Sequence, residues 1–200
     1  MAGRKAGMRI SIEGNVGSGK SECVAGLARL PHPPLQPIIP EPVQQWEAWL
    51  RDLYAGEDVH YQVQTAVLMA YADMRRMRDC LCERSPNTAM TVFAREARDV
   101  GSLRDREMAL LARIFGHVGW KPDASVYIRT DPEICLRRIR ARARPGEEGL
   151  DLAYLRRLHD RHEEEFASTP HCLVVDGNQG PEDVLRDVRK AVCQLSRPLT

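Results

Sequence analysis

The 200-residue sequence has no excess of charge of either sign: 29 Lys and Arg stand against 28 Asp and Glu, a net +1. A globally basic nucleic-acid binder does not fit this balance, because counterion release needs concentrated positive charge. Any interest in phosphate must come from a local cluster. No C-x-x-C pair occurs among Cys23, Cys80, Cys82, Cys135, Cys172 and Cys193, and no second Cys/His pair of zinc spacing faces Cys80 and Cys82. The thiols read as reduced, intracellular and mostly buried. No apolar run is long enough to span a bilayer; the longest uncharged one lies near Thr65 to Ala72. Arg4, Lys5 and Arg9 precede a short apolar run that Glu13 interrupts, so a signal peptide is not expected. Cytoplasmic residence is the expectation, with the nucleus open. Internal repeats and low-complexity tracts are also missing, and Pro31 to Pro34 reads as a loop.

What is there is an ordinary soluble composition, 43% hydrophobic and 28% charged. The length fits one domain, expected to span residues 1–200 and to bury roughly 70% of its unfolded surface without staples. Short apolar runs at Met8 to Ile12, Ala124 to Ile128 and Cys172 to Val175 read as strands, Ile38-Ile39 reads as a buried strand end, and Cys80 to Cys82 is too short to assign by pattern alone. Helical spacing marks Lys20 to Leu30, Trp46 to Tyr54, Tyr61 to Asp79, Leu103 to Val118, the stretch opened by Asp131-Pro132, Leu152 to Phe166 and Pro181 to Leu195. Trp46, Trp49, Leu50 and Leu53 are expected on one helix face. Strands alternating with helices define an α/β fold with a mainly parallel, five-stranded sheet between helices. Ligands in such folds sit at the carboxyl ends of the strands.

Gly14-Asn15-Val16-Gly17-Ser18-Gly19-Lys20-Ser21 matches G-x-x-x-x-G-K-[ST] between a strand and a helix. The glycines let backbone N–H groups turn in around phosphates, and the helix N-terminus adds positive potential. Lys20 would reach the β- and γ-phosphates of ATP, and Ser21 would face Mg²⁺. The motif specifies a nucleoside triphosphate but no reaction.

The remaining residues bear on the reaction. There is no N-K-x-D for guanine and no apolar strand ending in Asp-Glu, so neither a GTPase nor a mechanical ATPase is indicated. Arg137, Arg138, Arg140, Arg142 and Arg144 end at Pro145-Gly146. They read as an Arg-rich lid, about 137–149, able to stabilise charge on a transferring phosphoryl group; a solvated or nucleic-acid-binding basic face is the alternative. Glu41, held by Pro42 at a strand end, suits a general base for a neutral hydroxyl. His159 and His162 lie among acids and read as a solvated helix face.

Taken together, Gly14 to Ser21, Glu41-Pro42-Val43 with Trp46, Gln64-Thr65, Glu83-Arg84-Ser85, the lid, and Tyr127 to Glu133 resemble the deoxyribonucleoside kinase family from Arg9 to about Asp176. The resemblance implies that Glu41 is the base for a 5′-hydroxyl and that Arg84 holds Glu41 and the 5′-oxygen. Lys20 completes the catalytic set. Glu83 and Ser21 would serve Mg²⁺. Tyr54 and Glu147 would hold the sugar 3′-hydroxyl, Gln64 would pair with the base edge, and Trp46 and Phe93 would flank the base. Arg140, Arg142 and Arg144 would clamp phosphates, and Asp176-Gly177-Asn178 would lie near the adenine. A homodimer is implied by the family only; nucleic acid and membrane are not expected as partners.

Several positions depart from that pattern. Ala89 matches members that admit a 5-methyl pyrimidine, whereas cytidine-preferring members carry Asp. Tyr71 stands where relatives have Met or Arg, and is expected to narrow the pocket or stack on the base. Met90 replaces Arg, and Val63 replaces Phe. The implied substrate is a pyrimidine deoxynucleoside, thymidine first. A thymidylate-like nucleoside monophosphate kinase and a non-catalytic nucleotide-binding P-loop module remain the alternatives.

Overall fold

The computed structural model describes residues 7–196; Arg4 and Lys5, and the ends of the expected 1–200 domain, lie outside them. The chain runs β1 (Arg9–Glu13), α1 (Lys20–Ala28), β2 (Ile38–Ile39), α2 (Glu47–Tyr54), α3 (His60–Ala70) and β3 (Cys80–Glu83). Then come α4 (Pro86–Thr88), a π-helical stretch (Ala89–Ala94), α5 (Arg95–Asp99) and α6 (Asp105–Val118). The last elements are β4 (Ala124–Arg129), α7 (Pro132–Arg142), α8 (Leu152–Ala167), β5 (Cys172–Asp176) and α9 (Pro181–Leu195).

The five strands form one parallel sheet in the order β2-β3-β1-β4-β5. Strand β1 is central and every one of its residues is buried, as expected when helices cover both faces of a parallel sheet. On one face α1 and α9 pack Val24, Leu27, Val184, Val188 and Val192 against Ile10, Ile12, Val126 and Ile128. The other face carries Trp46, Tyr71, Cys80, Cys82 and Trp120. A further cluster of Cys135, Leu136, Ile139 and Leu155 joins α7 to α8. Register pairs Ile12 with Glu83 and Glu13 with Tyr127. The carboxyl ends of β1, β3 and β4 therefore lie level, and chain order reverses at β1, where a crevice opens.

Three sequence expectations need correction. The helix expected over Tyr61 to Asp79 ends at Ala70, followed by a 3₁₀ turn at Asp73–Arg76. Its carbonyls serve another partner: the Arg9 guanidinium donates to Met74, Arg75 and Met77 oxygens at 3.4, 2.9 and 2.6 Å. Trp49 is exposed while Trp46 is buried, so the two do not share a face; Trp46 precedes α2 as its cap residue with non-helical dihedrals. His162 is not solvated. It is fully buried, stacked on Tyr127 and meeting Phe93 edge-on. The helical segment from Pro86 to Asp99 has no counterpart in the sequence reading. Its start is Ser85, whose hydroxyl accepts from the Thr88 N–H, with Pro86 at the first position. Asp131 makes no side-chain cap on α7; its own N–H donates to Asn178.

Candidate active site

The site is built around the turn from β1 into α1. Gly14 has φ +149°, and a Cβ there would lie 2.7 Å from the Ile128 carbonyl oxygen. Gly17 has φ +78°, and a Cβ would lie 2.7 Å from the Cys135 carbonyl oxygen. Only glycine meets both demands, so the loop lies pressed against β4 and α7. Asn15 pins it from below, donating to the Leu155 carbonyl at 2.8 Å. Lys20 is buried and lies across the loop, donating to the Gly14 and Asn15 oxygens at 3.0 and 2.8 Å. Burial first, then the Arg84 charge, lowers its pKa to about 8, against the pull of Glu41 and Glu83.

Strand β3 delivers the second group. The Ser21 hydroxyl donates to Glu83 Oε1 at 2.6 Å, and the Glu41 N–H reaches Glu83 Oε2 at 3.3 Å. Arg84 sits one residue beyond the strand with φ +61°, an uncommon conformation for a side-chain-bearing residue. Its guanidinium stands 3.6 Å from Glu41 Oε1, 3.4 Å from the Gly14 oxygen and 4.5 Å above the Phe93 ring. Burial is the largest single influence and works against its charge, but Glu41 together with Tyr71, Glu13 and Glu83 outweighs it, and the pKa of Arg84 is raised.

A cavity of about 390 Å³ runs from this point, within the range of small-ligand sites. Gly17, Gly19, Lys20 and Ser21 line one end, and Glu41, Glu83 and Arg84 the middle. Trp46, Val63, Gln64, Val67, Ala89 and Phe93 line the other end, with Tyr54, Glu147 and Tyr154 at its side. Gln64 is 6% exposed, and its Oε1 has no hydrogen-bond partner. A buried acceptor left without a partner at a cavity wall is able to take an N–H donor from a ligand. Burial first and then the Glu147 charge raise the Tyr54 pKa to about 12. Arg142 and Arg144 also line the cavity. Arg142 grips Glu147 with two hydrogen bonds of 2.6 and 2.9 Å, and Arg144 stands 3.7 Å away.

One residue expected at the base lies elsewhere, and several expected ATP contacts stand beside the cavity rather than in its wall. Tyr71 does not reach the cavity: it is fully buried one layer behind, against Trp46 and Trp120. Arg140 is exposed on α7 and lines no part of the cavity. Asp176, Gly177 and Asn178 are likewise outside its walls. Arg138 joins that loop to the glycine turn, donating to the Ser18, Gly177 and Gln179 oxygens at 3.2, 2.9 and 3.3 Å. Val16, Gly17 and Gly19 of the glycine turn line the cavity, and Gly14, Asn15 and Ser18 complete the turn beside it. Tyr154, Val67 and the bridging role of Arg138 were not anticipated. Tyr154 had a local signal: it stands in the first turn of α8, after Asp151, whose carboxylate accepts from the Tyr154 N–H at 2.7 Å.

A glycine cradle, a helix N-terminus, a buried lysine and a carboxylate–guanidinium pair at the mouth of a ligand-sized cavity define a phosphotransferase with a hydroxyl acceptor. Comparison with known proteins narrows the class. Residues 10–194 match the family model described as deoxynucleoside kinase, and the chain belongs to that family. It is similar to the thymidine kinase of Ictalurid herpesvirus 1 (strain Auburn), 31% identical over 97% of this chain and 91% of that protein. It is also similar to deoxycytidine kinase 2 of Gallus gallus, 28% identical over 78% and 72%. Mitochondrial thymidine kinase 2 of Homo sapiens is 28% identical over 78% of this chain and 63% of its own length. The activity is phosphorylation of a deoxynucleoside 5′-hydroxyl with ATP as donor.

Proposed function

We propose that the chain phosphorylates pyrimidine deoxynucleosides, thymidine first, with Glu41 as general base. The observation that carries this reading is the Glu41–Arg84 pair, which lines the same cavity as the phosphate cradle. A carboxylate there suits a neutral hydroxyl acceptor; an acceptor already bearing phosphate would call for a free cation instead. At the base end Ala89, Val63 and Val67 leave room and present no charge, and the orphaned Gln64 oxygen suits the N3–H of thymine. Relatives named for thymidine and for deoxycytidine both occur, so family membership alone does not choose the base.

In this reading the 5′-hydroxyl lies between Glu41 and the γ-phosphate. Glu41 takes its proton as the hydroxyl oxygen attacks the γ-phosphorus in line, the bond from that phosphorus to the β–γ bridging oxygen breaks and ADP leaves, and Arg84 and Lys20 hold the charge that spreads over the phosphoryl oxygens. Ser21 and Glu83 present oxygen donors of the kind Mg²⁺ takes, and they fit the ion at the foot of the cradle. Bound there, Mg²⁺ would supply charge neutralisation on the phosphates. Tyr54 and Glu147 orient the sugar. Arg142 and Arg144 close from a lid of residues 137–149. The homodimer and a cytoplasmic location belong to the same reading; the six free cysteines are consistent with a reducing compartment. Among the described residues no helix is long and apolar enough to cross a membrane.

The test is transfer of labelled phosphate from ATP to thymidine, deoxycytidine, deoxyuridine, deoxyadenosine, deoxyguanosine and the matching monophosphates. Thymidine is expected to lead. Glu41→Gln should lower kcat by about 10²-fold while nucleoside binding is kept. A Glu41→Gln enzyme with unimpaired turnover would remove Glu41 from the mechanism.

A further inference from the structure

Resting on the reading of Arg84 as catalytic, we infer that Tyr71 is a positioning residue: its buried hydroxyl fixes the peptide plane that aims Arg84 at Glu41. The Tyr71 hydroxyl donates to the Glu83 carbonyl oxygen at 3.1 Å. The other end of the same peptide unit, the Arg84 N–H, donates to the Ile12 oxygen at 2.9 Å. Both ends of one planar group are therefore tied, one to α3's exit and one to the central strand. That group sets φ of Arg84, which stands at +61°. A side chain in this left-handed region is strained and persists only where its surroundings over-determine it. The two hydrogen bonds are the over-determination.

Tyr71 is itself immobilised. It is the first residue after α3, its N–H bonded to the Val67 oxygen at 3.2 Å. Its carbonyl accepts from Trp120 Nε1 at 3.1 Å. Its ring packs at 6.2 Å from Trp46 and edge-on at 5.9 Å to Trp120. The Arg9 guanidinium covers Trp120 from behind at 4.1 Å. The stack thus runs from the sheet floor through Tyr71 to Trp46 on the cavity wall. Only the hydroxyl leaves the stack, and it goes to the catalytic turn. Without it the Glu83 carbonyl keeps no side-chain partner, the peptide is held only at its Arg84 N–H, and the aim of Arg84 at Glu41, at the Gly14 oxygen and over Phe93 loosens. The acceptor cavity would keep its shape.

The measurement is kcat, nucleoside KM and thermal midpoint for Tyr71→Phe and for Trp120→Phe, on whichever deoxynucleoside the parent enzyme uses best. Tyr71→Phe keeps the ring and deletes the hydroxyl; kcat should fall about 10-fold with KM within a factor of about two. Trp120→Phe loosens the same stack but keeps the hydroxyl bond, and should lower the midpoint while keeping kcat. Adding Tyr71→Phe to Glu41→Gln should cost much less than tenfold, since both act through one pair. The inference is overturned by a Tyr71→Phe enzyme with parental kcat. It is equally overturned if Trp120→Phe loses as much kcat, which would make packing the cause. A parent enzyme that favours another nucleobase revises the substrate reading and leaves this ratio readable.

Discussion

At the scale of single residues, the most exposed to pH is one the solvent does not reach. Glu13 ends β1, is wholly buried, and neither of its carboxyl oxygens makes a hydrogen bond of good geometry. Burial raises its pKa to about 7, partly opposed by the hydroxyls of Ser85, Ser11 and Thr88 and by the Arg84 charge. The unfolded chain releases this proton near 4.5 and the folded one near 7. The folded state therefore binds more protons between those values, so this contribution is complete below pH 4.5 and is lost as pH rises through 7. Its full size is on the order of 3 kcal/mol. Glu13→Gln removes the titration. Its thermal midpoint should exceed the parent's at pH 8, and the gap should close towards pH 5; a gap constant over that range would exclude Glu13 as the source. His162 has the opposite sense. Burial lowers its pKa to about 3, so its share is present above about 6.5 and is lost towards pH 3. In the sequence both residues look like surface groups, Glu13 as a break in an apolar run and His162 as part of a charged helix face. What hid their burial is that each is covered by elements distant in the chain.

At the scale of elements, the instructive segment is Pro86–Asp99. Its six-residue π-helical centre carries Ala89 and Phe93 to the cavity, while Thr88, Val92 and Ala94 remain buried. Widened turns of this kind occur mostly as single insertions at functional sites. Helical spacing did not reveal it, since the apolar positions of a π turn do not recur at the 3.6-residue period that such a reading seeks. The α8 contacts hold it from outside: Arg157 pairs with the buried Glu96, Arg161 with Asp99, and Asn87 donates to Glu165 at 2.9 Å. A charge placed at Ala89 faces the cavity. Ala89→Asp should shift the ratio of deoxycytidine to thymidine turnover by about 10-fold or more towards deoxycytidine, measured as kcat/KM for each. An unchanged ratio would move the base away from Ala89. By contrast β1, the glycine turn and α1 were legible almost to the residue, because strand pattern, glycine spacing and helix pattern are all local.

At the scale of the whole molecule, the five strands were legible but their order was not. Which strands pair depends on contacts between residues far apart, such as Ile38 with Leu81 or Ser125 with Cys172. The crevice over the reversal at β1 follows from that order, and with it the meeting of Glu41, Glu83 and Arg84. Family resemblance supplied the same grouping without geometry. It did not foresee that Tyr71 would retire behind the wall or that Arg138 would tie the Asp176–Asn178 loop to the glycine turn.

Arg142 and Glu147 grip each other in the wall of the cavity. Arg142 uses Nε and Nη2 for that carboxylate. The same two atoms cannot at once hold Glu147 and close bidentately on a phosphate. On the proposed roles of these two residues, a nucleotide that recruits Arg142 would release Glu147 to a sugar hydroxyl, and a sugar that recruits Glu147 would release Arg142 to phosphate. Each ligand then removes a competitor of the other, which is a coupling free energy between the two sites. The dissociation constant of a non-hydrolysable ATP analogue should fall several-fold when nucleoside is added, typically by about 5-fold or more. Thermodynamic reciprocity requires the nucleoside to gain by the same factor, and Glu147→Gln, which weakens the grip, should bring that factor close to one.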